Sequence, residues 1–238
     1  MTIVTRMALW IFGWILGLVL TTPAAPHAQA PGKPDRFDML VRTDFFAGFA
    51  GDEARLRKGM EACERTLAEN PEHAEALVWH GSGLAFQAGM AFQKGDTQIG
   101  FELWTRGASE MDKAVAIAPD NVGVLIPRGA TLMQAARNMA PQMAAPLLEK
   151  AIGDYEKTLA LQTASGAFET LGDHPKGELL FGLAEAYSRL EKPDKARVYF
   201  ERLTKDAPGS GQTPKAREWL ASGTLPKTTG LGCVGCHK

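Results

Sequence analysis

Four stretches of this chain repeat one spacing of small, bulky and helix-breaking residues, and that spacing limits the fold more than any other feature. The clearest copy runs from Gly177 to Ser210. Its first half sets Leu180, Leu183, Ala184 and Tyr187 at helical intervals. Its second half sets Ala196 and Phe200, and Pro208 closes it. Ala184 and Ala196 are small where two helices would cross closely, and the larger side chains fill the space around the crossing. Lys192-Pro193-Asp194 turns the chain between the two helices. Pro208 ends the second one, because proline cannot continue a helix.

The second-helix half recurs upstream. Gly107, Met111, Ala114, Val115, Ile117 and Pro119 keep the spacing, and so do Gly59, Cys63, Thr66, Leu67 and Pro71. Ala151, Tyr155, Thr158, Leu159 and Leu161 keep it with Thr163 in place of the closing proline. Ala74 to Phe92 and Asn121 to Met139 read as the first helices of the second and third units. The units are set wider than the usual ~34 residues, so these helices or their turns are longer than standard. No stretch alternates Val, Ile and Thr in the manner of a strand. The reading is an all-α chain: about four helix pairs over residues 52–222, preceded by a linker and N-terminal segment at 31–51. A flexible tail follows at 223–238, starting in Thr, Pro, Lys and Gly without an apolar period.

Residues of about 52 to 220 resemble a degenerate tetratricopeptide array. The same residues are also similar to a group of exported bacterial tetratricopeptide proteins that end in a C-x-x-C-H sequence. The resemblance implies a short right-handed solenoid of helix pairs with a concave face. It implies no substrate. In the last unit Glu178, Phe181, Glu185, Ser188 and Arg189 alternate with the packing set and are expected to line that groove. Mixed charge with one aromatic suits a peptide or protein surface.

Arg6 precedes an apolar run from Met7 to Leu20, and small residues and prolines follow to Ala30. This is the pattern of a secretory signal over residues 1–30, and it predicts export, to the periplasm in a bacterium. The run is shorter than the ~20 residues of a spanning helix. Ala28-Gln29-Ala30 fits a cleavage site, but Pro31 stands directly after it. Cleavage and retention as a membrane anchor both remain open. The formal net charge of −1 carries no footprint for nucleic acid.

Cys233-Val234-Gly235-Cys236-His237 matches the attachment site of a c-type haem. Two thiols three positions apart can reach the two vinyl groups of one porphyrin, and the adjacent imidazole is then held under the iron. A disulfide, a metal site and an unliganded tail compete with this reading. A disulfide has no use for His237, and structural zinc wants a fourth ligand. Only Lys238 follows the motif, so a distal iron ligand is expected from the array, a partner chain, Lys238 or the terminal carboxylate, or water. His80 and Met133 fall on first helices toward the groove, with His80 favoured, while His73 and His174 lie near loops.

The remaining candidates read as structural. Cys63 is expected to be a buried, inert thiol. Gly81-Ser82-Gly83 lacks the strand and lysine of a phosphate loop and reads as close helix packing. Trp79, Trp104 and Trp219 are expected packing anchors. Asp112, Glu149, Asp154 and Glu156 read as charges on solvated faces. No nucleophile–base pair and no distal Arg–His pair stands out, so no enzyme is expected. The leading expectation is an exported interaction scaffold with one covalent haem on its tail. The alternative is a haem-free adaptor of an envelope or uptake system whose tail cysteines form a disulfide or bind metal.

Overall fold

A computed structural model describes residues 36–226, and all of the regular structure among them is helical. The signal-like segment and the C-x-x-C-H motif lie outside the described residues. Helix α1 spans Phe37–Phe49 and α2 Glu53–Glu69; α3 spans Ala74–Lys94 and α4 Thr97–Ile117; α5 spans Val122–Ala136 and α6 Pro141–Ala164. A single turn, α7 (Ala167–Thr170), leads into α8 (Asp173–Arg189), α9 (Pro193–Asp206) and α10 (Thr213–Ser222).

Local chemistry sets these limits. Asp52 accepts a hydrogen bond from the Arg55 amide, His73 Nδ1 from the Ala76 amide, and Asn121 from the Gly123 amide. Each satisfies a donor that the first turn leaves without a helical partner. Pro141 and Pro193 open α6 and α9, where no amide hydrogen is needed. Gly95 closes α3 with a φ of 87°, a left-handed conformation that favours glycine. Without a closing proline, α6 runs on past Thr163 and reaches 24 residues.

The short connections fold α1 onto α2, α3 onto α4, α5 onto α6 and α8 onto α9. These are the four helix pairs of the repeat. Each first helix also touches the next along the chain, α1 on α3, α3 on α5 and α5 on α8, while α2 and α6 pack against the first helix of the following unit. Neighbour-to-neighbour stacking of this kind makes the chain an all-α helical-repeat solenoid. One continuous core runs through it, from Phe37, Val41, Phe45 and Phe49 of α1 to Ala216 and Trp219 of α10.

Two boundaries differ from the sequence reading. The repeat begins at Phe37, not residue 52: within the expected linker, every fourth residue of α1 is apolar and buried, and that face completes the first pair with Leu56, Met60 and Cys63. At the other end α10 is added. It packs on α9, and Trp219 is buried with its ring 4.7 Å from that of Phe200. The helix covers apolar surface that a further unit would otherwise bury. Gly223 caps it, and Leu225 is half-buried against the core, so the chain stays packed beyond the expected start of the tail.

Candidate functional site

Of the groove residues expected in the last unit, Phe181 and Glu185 are buried and Glu178, Ser188 and Arg189 half-buried. Phe181 is 4% exposed and Glu185 1%. Phe181 stacks edge-on with Phe200 at 5.9 Å and lies under the Lys215 ammonium, which comes from α10. Glu178 accepts a hydrogen bond from Gln212 at 2.8 Å, in the loop that leads into α10. Arg189 is half-buried and spends its Nε on Glu185 at 2.9 Å. The loop before α10 and α10 itself thus contact Glu178 and Phe181 of that expected groove.

Glu185 is a buried ion-pair partner instead of a groove contact. Arg137, just past the end of α5, donates Nε to Oε1 at 2.9 Å and Nη2 to Oε2 at 2.6 Å. Burial works against the Glu185 charge, but the two arginines outweigh it and hold the carboxyl below its ordinary range. This bidentate clasp joins the third unit to the fourth. A second bidentate clasp lies within the third unit, and one further bond from the same arginine reaches the second. Arg128 of α5 donates to both oxygens of Asp154 at 2.8 and 2.6 Å and to Asp112 of α4 at 2.9 Å. Asp154 is 2% exposed, and Glu156 accepts from the hydroxyls of Tyr187 and Tyr199. The solvated reading of Asp154 is thus overturned, and Glu156 is tied into the packing. Asp112 stays half-exposed and also holds Lys150.

His80 is not available to an external iron. Its ring is 1% exposed, and both nitrogens face carboxylate oxygens. Met133 is buried as well. His73 caps α3 against the Phe37 ring, and His174 is the more open imidazole, with its side chain 45% exposed at the start of α8. Cys63 is fully buried, and burial, with Glu110 and Glu64 nearby, pushes its thiol up to about 12. Trp79 and Trp219 are buried anchors, and Trp104 packs half-buried on the core. Among the described residues no three His, Cys, Asp or Glu side chains gather in a way that could hold a metal ion. Cys233, Cys236 and His237, the expected haem thioethers and iron ligand, lie outside the described residues.

Open apolar surface gathers elsewhere, at the turn between α3 and α4. Phe92, Ile99 and Phe101 are 38%, 52% and 56% exposed, and the two phenyl rings meet edge to face at 5.2 Å. Sequence reading missed this tip. The signal was present in two helices of 21 residues each, longer than their neighbours α2 and α5.

No family model and no curated protein matches the chain. Among solved structures, a thermophilic tetratricopeptide protein from Thermus thermophilus is similar at 17% identity and a TM-score of 0.34, covering 79% of this chain and 98% of that one. A likeness at this level carries no weight for function, and the fold rests on the helix pairing described above.

Proposed function

We propose that this protein is an exported interaction scaffold that carries one covalent c-type haem on its C-terminal segment, serving electron transfer or sensing with a docked partner. The observation that carries this reading is the donor set Cys233-x-x-Cys236-His237. Two thiols at that spacing and an adjacent imidazole fit the two vinyl groups and the iron of one haem. Such a group supplies one-electron chemistry at the iron when it is bound. The chain's own contribution is to hold it: Cys233 and Cys236 through thioether sulfurs, and His237 through its ring nitrogen.

The export half of the proposal rests on Arg6, the apolar run after it and the small-residue stretch to Ala30. The scaffold half rests on the solenoid, an architecture that offers extended surface. The exposed Phe92, Ile99 and Phe101 at the second hairpin tip add apolar surface placed for a protein contact.

Intact-mass analysis of the chain, exported by a host that matures its own c-type cytochromes, tests the proposal. A mass increased by one haem that survives denaturation supports it. A haem-free mature chain with a Cys233–Cys236 disulfide, or with bound metal, replaces it with the adaptor reading.

A further inference from the structure

His80 of α3 sits between two carboxylates that belong to different repeat units. Its Nδ1 lies 2.5 Å from Oε2 of Glu110, on α4 of its own unit. Its Nε2 lies 3.5 Å from Oε1 of Glu64, on α2 of the unit before. A neutral imidazole has one N–H and one lone pair. With carboxylate oxygens facing both nitrogens, the neutral ring must set its lone pair against an anion on one side. An imidazolium presents an N–H to each, in a hydrogen bond to Glu110 and an ion pair to Glu64.

Other charged groups surround the ring. Arg106 donates to the other oxygen of Glu110 at 2.9 Å. Burial opposes the Glu110 charge, but His80 and Arg106 together hold its carboxyl below the ordinary range, so the anion facing Nδ1 is fixed. Cys63, next to Glu64 on α2, keeps its proton because burial raises its thiol. The helices α1 and α5 also pack on α3, but their ionisable groups are engaged elsewhere: Asp38 with Arg36 and Arg42, Asp44 with Arg55 and Lys58, Arg128 with Asp154. The two links to the ring are unequal. The Glu110 side chain is 17% exposed, whereas that of Glu64 is 60% exposed and has water to turn to.

We propose that His80 is a protonation-controlled latch at the junction of the first two repeat units, tying Glu64 of α2 to α3 as the imidazolium and keeping only Glu110 as the neutral ring. Loss of the proton releases Glu64 and loosens the α1–α2 pair from the rest of the stack.

Nitrogen-15 shifts of the His80 ring, with amide exchange of α2 measured in the same samples of the full chain from about pH 5 to pH 9, test the proposal. Both ring nitrogens should carry protons at the acid end. As the ring titrates, α2 amides should exchange about two- to fivefold faster after correction for base catalysis, the effect of one half-exposed ion pair. Glu64→Gln should abolish that pH dependence. The residue is exposed on α2, so the variant keeps its fold, and retention of the His80–Glu110 contact is checked by the Nδ1 shift. A ring that is neutral across the whole range overturns the latch. So does α2 exchange that is indifferent to the ring's titration, or a pH response that persists in Glu64→Gln.

Discussion

Gly81 of α3 and Gly107 of α4 meet backbone to backbone: a Cβ on either one would stand 2.6 Å from the carbonyl oxygen of the other. This contact sets how closely the second helix pair is packed. It also explains Gly81-Ser82-Gly83 without a ligand, since a Cβ at Gly83 would strike the sulfur of Met60 in the preceding unit. Gly81→Ala and Gly107→Ala should each cost about 1–3 kcal/mol, because neighbouring backbone must shift to admit the methyl group. Gly89, on the open face of α3, has nothing within 4 Å of an added Cβ. Gly89→Ala should therefore stabilise by about 0.5–1 kcal/mol. Urea denaturation of the three variants gives the two signs.

The end of the solenoid depends on one indole. Trp219 lies against Phe200, donates its ring N–H to Ser188 at 2.9 Å, and has the Arg197 guanidinium 5.7 Å above it. Trp219→Ala should cost about 3–5 kcal/mol. Hydrogen exchange should show the loss concentrated in α8–α10, since stacked repeats transmit stability mainly to their neighbours.

Removing the Glu185 carboxylate should be more damaging than its charge alone suggests. Arg137 would be left largely buried beside an uncharged side chain. Glu185→Ala should cost about 3 kcal/mol, whereas replacing Arg137 and Glu185 together by apolar residues should recover much of that loss. A double-mutant cycle measured in urea checks both expectations.

Acid should weaken the fold in a definite window. Glu110 and Glu185 have folded-state carboxyls below their reference value of 4.5. A lowered folded pKa contributes stability that is complete above the unfolded value and is lost as pH falls toward the folded one. The urea midpoint should therefore drop between about pH 5 and pH 3. In Glu185→Gln the midpoint should start lower at neutral pH and fall less steeply.

If the chain carries the proposed haem, Cys233→Ala and Cys236→Ala should each remove one thioether, and the double variant should lose covalent haem. His237→Ala should change the iron's spin state. His80→Gln should leave the haem spectrum unaltered, because that ring is enclosed between Glu64 and Glu110. Optical spectra of oxidised and reduced protein separate these outcomes.

Much of the architecture is legible one helix at a time. Gly59, Gly107, Ala151 and Ala196 mark the second helices, and all four fall on the helices their spacing implied. Cys63, Met111, Tyr155 and Phe200, four residues further on, are all buried. The first unit was the hardest to see, because α1 carries little contrast between its faces: Met39 and Leu40 are apolar yet exposed.

The kind of fold, four stacked helix pairs, is written in the order of residues alone, because burial on one helical face repeats within a few positions and needs no knowledge of the partner. The fate of the polar residues depends on how the helices come together in space. Arg137 and Glu185 are 48 residues apart, Arg128 and Asp154 are 26 apart, and His80 and Glu110 are 30 apart. A charged residue on a helix reads as solvated until the fold brings a counter-charge over it, and the energy of burying it depends on that distant partner.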